Sequence, residues 1–246
     1  MAEMKIVVLA LATAGILTSG AAQAALKDRG GGLLYDDVLN VTWLQDANYA
    51  KTSGYDADGK MTWAAANTWA TNLSYGGYED WRLAANTPVG ANWNYNWANN
   101  GNSDRGYNIT SPNSELAYMY YVNLGLKGMY SASGVYQPDF GVLGNGNGGQ
   151  ANIGLVNNLQ SHIYAVDSYW SGTANALNPN GEAWFFRTYT GAQSHNMGQG
   201  DELYAWAVRS GDVAAPIPEP ETYAMMLAGL GLLGVAARRR KQKSDA

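Results

Sequence analysis

The chain of 246 residues has no cysteine. That absence removes thiol nucleophiles, redox pairs and cysteine-bound zinc in one step. It also means that an exported domain of this size has to hold itself by packing alone, which its length allows. Histidine is nearly as scarce. With only His162 and His195 present, a three-histidine metal site cannot form within one chain, and a two-histidine site needs both to converge with a carboxylate. Composition predicts that each is a polar surface side chain. Charge is sparse as well: 14% of residues are charged, with a formal net charge of −5. A mildly acidic chain offers no basic footprint for nucleic acid. There is no Gly-x-Ser-x-Gly elbow, and the adjacency of Ser161 and His162 is not the spatial arrangement that a catalytic triad demands. What the chain does have is 30 glycines, 9 tryptophans and many asparagines, a bias toward strands and loops over a helical bundle.

Both ends carry targeting patterns. Lys5 supplies a positive start, although Glu3 is unusual there and Met4-Lys5 would be a more typical beginning. Ile6 to Leu17 is apolar, and Ala22-Gln23-Ala24 is a small-x-small cleavage site. Residues 1–24 therefore read as a secretory signal peptide cut between Ala24 and Ala25, too short in its apolar part for a permanent anchor. At the other end stand Pro218, Glu219 and Pro220, an apolar run over 223–237, then Arg238-Arg239-Arg240-Lys241. As a helix the run spans roughly 22 Å, short of the roughly 30 Å of a hydrocarbon core. It suits transient membrane insertion with snorkelling arginines, the basic cluster staying cytoplasmic. Residues 218–246 resemble the PEP-CTERM sorting signal of exported bacterial proteins. The resemblance implies an exosortase, a membrane-embedded cysteine peptidase, as the processing partner near Pro218-Glu219-Pro220. It further implies an inner-membrane intermediate, then delivery to the cell surface or extracellular matrix. Gly229, Gly231 and Gly234 spell a dinucleotide-binding fingerprint, but that motif needs a βαβ unit around it and the chain stops soon after.

The segment between, residues 25–213, reads as one globular domain, with 214–217 as a linker. Two short strands flank a turn at Asp36-Asp37-Val38-Leu39-Asn40. Asp56-Ala57-Asp58-Gly59 resembles half a calcium loop, but Asn67 stands where the twelfth-position glutamate belongs, so a plain turn is expected. Thr62 caps a helix from Trp63 to about Leu73, with Trp63, Ala66 or Asn67, Ala70 and Leu73 inward and Gly76-Gly77 ending it. Trp81-Arg82-Leu83 is a strand. Ser111-Pro112-Asn113-Ser114-Glu115 starts a second helix, over 112–124, that Gly125 stops. Pro138 to Asn158 reads as a glycine- and asparagine-rich loop. Tyr169–Thr173, Ala183–Arg187 and Ala205–Arg209 are strands. The last two share Ala-Trp-x-x-Arg and are expected in one antiparallel sheet, with Trp184, Phe186, Trp206 and Val208 facing the core.

This order runs from Thr-Trp-Leu at 42–44 and Trp-Arg-Leu at 81–83 to Tyr-Trp-Ser-Gly-Thr at 169–173 and Ala-Trp-Ala-Val-Arg at 205–209. It is similar to a bacterial domain family of unknown function that also forms the C-terminal domain of a collagen-like adhesin. More distantly it resembles the formylglycine-generating-enzyme fold. The resemblance implies an α+β fold, C-type-lectin-like, with a twisted antiparallel sheet, two helices and long loops. The formylglycine enzymes use cysteines on copper, so their activity does not carry over, and the body has no Glu-Pro-Asn calcium-lectin motif.

Two kinds of residue are left as candidates. The carboxylates Glu79, Asp80, Asp167, Glu182, Asp201 and Glu202 could supply a pair for acid/base work on glycans, although solvated loop charges are the simpler reading. In Asn92–Asn102 asparagines alternate with Trp93, Tyr95 and Trp97. An aromatic ring can cover the apolar face of a sugar while amides meet its hydroxyls. Trp93, Tyr95, Trp97 and Asn99 are therefore the expected ligand-binding set, against the alternative that the rings pin a long loop to the domain. The functional expectation is an exported, surface-sorted binding or matrix protein associated with extracellular polysaccharide, needing no cofactor or metal. The alternative is a glycan-active enzyme using paired carboxylates.

Overall fold

A computed structural model describes residues 26–144, 146–162 and 168–213. The signal-peptide junction at Ala24-Ala25, the sorting motif at Pro218-Glu219-Pro220, the apolar run over 223–237 and Asp167 lie outside the described residues.

The chain opens with β1 (Lys27–Asp28), β2 (Leu33–Asp36) and β3 (Val41–Leu44). Asp36 makes the β2–β3 turn: its Oδ1 accepts from the amides of Val38 and Leu39, both at 2.9 Å. That register sets Leu34 opposite Trp43, both without solvent contact. The short helix α1 (Tyr49–Thr52) and β4 (Lys60–Met61) follow. Between them Asp56 accepts from the amides of Asp58 and Gly59, the plain turn expected. Helix α2 (Trp63–Thr71) is capped by Thr62, whose hydroxyl accepts from Ala65. It buries Ala66, Trp69 and Ala70. It ends before Gly76-Gly77, which instead turn the chain between Tyr75 and Tyr78 at φ of +63° and +84°.

Next come β5 (Trp81–Leu83), β6 (Trp97–Ala98) and β7 (Arg105–Gly106). The second helix is shorter than the sequence suggests. Ser111 to Asn113 make a turn, and α3 spans Glu115–Tyr118 before widening into one π-helical turn, Met119–Asn123. Its start is decided by Glu115, which takes both arms of the Arg82 guanidinium at 2.7 Å and the Ala85 amide at 2.6 Å. A bond to β5 thus outweighs the local proline signal. The expected loop over 138–158 is corrected too: β8 (Gly149–Ile153) and β9 (Val156–Ser161) pair as a hairpin. The remaining strands are β10 (Tyr169–Ala174), β11 (Glu182–Arg187), β12 (Ala192–Gly198), β13 (Leu203–Tyr204) and β14 (Ala207–Ser210).

The architecture is α+β, strand-rich with short helices. Its strands form two larger sheets rather than one. The first runs β1-β2-β3-β14-β5 and is antiparallel throughout. The second runs β4-β13-β10-β11-β12-β7-β6 and is mixed, with parallel pairs β10–β13 and β6–β7. The strands sharing Ala-Trp-x-x-Arg therefore sit in different sheets. Trp206 stands between β13 and β14, where the chain leaves one sheet for the other. Its Nε1 donates to Leu44 O at 2.7 Å, and its ring meets Trp43 at 4.8 Å and Tyr169 at 6.0 Å. One apolar core, running from Leu33 to Val213, draws on both sheets and α2. Trp184 is fully buried, as expected, in a ring cluster with Trp93, Tyr95 and His195 beside the main core. Among the described residues no helix is long and apolar enough to cross a membrane.

Candidate functional site

The segment from Pro88 to Tyr107 is closed by a side chain that carries no local sequence signal. Asp104, fully buried, accepts the Val89 amide on Oδ1 and the Asn94 amide on Oδ2, each at 2.6 Å. Ser103 Oγ donates to the carbonyls of Asn94 and Asn96 at 2.9 and 2.5 Å. Asn108, at φ +58°, donates through Nδ2 to Asn99 O and to Tyr130 O, tying this loop to the next. The amide of Asn99 faces that neighbouring loop across Gly134. Gly106 is required where β6 and β7 meet, because a Cβ there would lie 1.8 Å from Ala98 O.

The alternation in Asn92–Asn96 is real, but the aromatic face points inward. Trp93 stacks on buried Trp184 at 4.8 Å with 21° between the planes. Tyr95 lies 6.0 Å from Trp184 and meets the edge of His195 at 4.8 Å. Both rings are half-buried, while Asn92, Asn94 and Asn96 are exposed. Trp93 and Tyr95 thus pin the loop, with one face of Trp93 already taken. His195, 8% exposed, is a buried member of this cluster rather than a surface side chain. Burial first, then the Arg105 charge, hold its pKa below the ordinary histidine value against an opposing pull from Glu182. Burial, with the Asp104 charge, raises the Tyr95 phenol.

Trp97 behaves differently: 45% of its surface is exposed. Its ring meets Tyr107 edge-on at 5.3 Å, and the Arg105 guanidinium lies 5.4 Å from its centroid. From Tyr107 a row of ring contacts continues to Tyr130 at 5.6 Å, Tyr136 at 6.0 Å, Phe140 at 5.8 Å and Tyr189 at 5.4 Å. Tyr136 is 54% exposed. The tertiary structure therefore brings Trp97 and Asn99 beside an aromatic row that sequence reading missed. No local pattern in the sequence signals it, because the other rings come from distant loops.

Most of the carboxylate candidates are engaged. Asp80 holds Arg209 by two bonds of 2.7 and 3.0 Å. Glu182 accepts from Asn175 at 2.8 Å, and Asp201 accepts the Gly198 amide at 3.1 Å. Glu79 and Glu202 are exposed. His162 is half-buried at the end of β9.

Fold and surface together define a strand-rich α+β protein with a row of ring contacts that reaches the surface at Trp97 and Tyr136. Residues 216–241 match the PEP-CTERM protein-sorting motif. This is the signal of an exported protein sorted by an exosortase, on a route through the membrane to the cell surface. No curated protein and no solved structure matches the chain. Neither comparison supports the expected likeness of the body to the adhesin-associated domain or to C-type lectins.

Proposed function

We propose that the exported, surface-sorted chain acts by binding extracellular polysaccharide in the cell-surface matrix, with the ring row headed by Trp97 as its contact surface. The observation that carries this reading is the 45% exposure of Trp97 at one end of a continuous aromatic row. A large exposed indole braced edge-on by a second ring is a rigid platform for the apolar face of a pyranose. The flanking amides of Asn96 and Asn99 supply donors and acceptors for hydroxyls. Tyr136 offers a second exposed ring along the row. Each contact is weak, and many copies sorted to one surface raise the avidity. Trp93 and Tyr95 serve this surface indirectly, by fixing the loop that carries Trp97.

The test is retention of the chain on the host's own exopolysaccharide. Trp97→Ala combined with Tyr136→Ala removes two exposed rings, so retention should fall sharply while the urea midpoint stays close to the parent's. Unchanged retention in that double variant would remove the row from consideration. Trp93→Ala, by contrast, should lower stability, since its ring lies on Trp184.

A further inference from the structure

We propose that Arg105 and Arg187 form an anion subsite beside Trp97 that takes the carboxylate of a uronate-bearing polysaccharide. The inference rests on the polysaccharide reading above and names the chemical class of the ligand.

Strand register brings the residues together. Trp97 pairs with Arg105 across β6 and β7. Gly106 pairs with Gln193 across β7 and β12, and Ala192 with Arg187 across β12 and β11. Directly paired residues share a face and neighbours along a strand alternate. Trp97, Arg105 and Arg187 thus emerge on one face, the same one as Tyr107.

Their bonding sets these two arginines apart. Arg29, Arg82 and Arg209 each hold a carboxylate, on Asp212, Glu115 and Asp80. Among the described residues no carboxylate forms an ion pair with Arg105 or Arg187. Their guanidiniums lie instead on rings, Arg105 by Trp97 at 5.4 Å and Arg187 by Phe185 at 5.1 Å. The Nε atom of each is buried without a hydrogen-bond partner, and so is Nδ1 of His195, on which the Arg105 charge acts. Burial foremost disfavours the charged form of Arg187, and the Arg105 charge adds to this while Tyr107 opposes it. The nearby acids are already committed: Asp104 to two backbone amides and Glu182 to Asn175. Two half-buried guanidiniums of like charge, each with an Nε that has no partner, are a cost that a bound anion would offset.

The geometry of the group follows from its surroundings. A carboxylate matches the planar guanidinium fork, two bonds at a time. A uronate carries that carboxylate on a pyranose whose C–H face can lie on an indole, so one residue of the polymer engages Trp97 and an arginine together. A neutral sugar would leave both forks unused, and a free small anion would not need the indole.

Binding of the full chain to polygalacturonate oligomers, their methyl esters and poly-glutamate tests this by calorimetry. The ester keeps the sugar and removes the charge, so the unaltered chain should bind the acid at least about tenfold more tightly, the equivalent of one charge-assisted hydrogen bond. Arg105→Gln and Arg187→Gln should each lose about that factor toward the acid and lose distinctly less toward the ester, so that the acid-over-ester preference shrinks. Arg105→Lys, which keeps charge but not the fork, should fall between. Equal affinity for acid and ester overturns the subsite, and that comparison needs no altered protein to fold. Equal binding of poly-glutamate overturns it as a sugar site. Retention on the host polysaccharide with no preference for the acid oligomers sinks this inference and leaves the binding function standing. Loss of every polysaccharide interaction sinks both.

Discussion

At His195 a single imidazole has Trp184 on one side, Tyr95 on another and Arg105 close by, with Nδ1 lacking a partner. Burial favours its neutral form in the folded chain, so its folded pKa lies below the unfolded one. As pH falls, the unfolded chain takes up the proton first. Its contribution to stability is therefore complete above about pH 6.5, the ordinary histidine value. It declines as pH falls below that value, levelling once the folded pKa is passed. Urea midpoints measured across this window should drop for the parent, and His195→Gln should flatten the drop. A drop of the same size in the variant would assign the effect elsewhere. The sequence suggests none of this, because a histidine in Gln-Ser-His-Asn reads as polar surface until Tyr95 and Trp184 close over it.

The loop between Pro88 and Tyr107 shows at the scale of an element how little of its order is local. It has a strand-like alternation, yet forms only the two-residue strands β6 and β7, because Asp104 gathers the amides of Val89 and Asn94 into its carboxylate. Asp104→Asn retains the shape but replaces one acceptor oxygen by a donor, leaving a buried amide facing an NH2 group. The expected loss is about 1–3 kcal/mol, with faster amide exchange concentrated at Val89 and Asn94. Uniform loss of protection over the chain would show that Asp104 supports the whole core instead. The helices divide in the same way. α2 was legible because Thr62 and the alanine-rich face act within the element. The early start predicted at Pro112 failed because Glu115 is bound to Arg82 and Ala85, contacts made across the fold.

For the molecule as a whole, the two sheets are coupled where the chain passes from β13 to β14. Trp206 contacts Trp43 in one sheet and Tyr169 in the other, and donates to Leu44 O. Trp206→Ala should cost roughly 3–5 kcal/mol, as a large buried ring replaced by a cavity. Equilibrium urea denaturation followed by near-ultraviolet circular dichroism measures it, and an unchanged midpoint would show that the sheets are held together elsewhere.

The targeting tail was legible along the chain, because a sorting signal is read as a linear string: Pro218-Glu219-Pro220, an apolar run and arginines in that order, matched over 216–241. So were the short strands and α2, where side-chain period, turn chemistry and a cap lie within a few residues of one another. Only the tertiary structure decided that the strands form two sheets, that Trp93 and Tyr95 turn inward while Trp97 stays out, and that Arg105 and Arg187 meet on one face. Those outcomes depend on strand order and register between distant segments, as far apart as Trp43 and Val208. Period along the chain says which side chains share a face of one strand, but not which strand lies next to it.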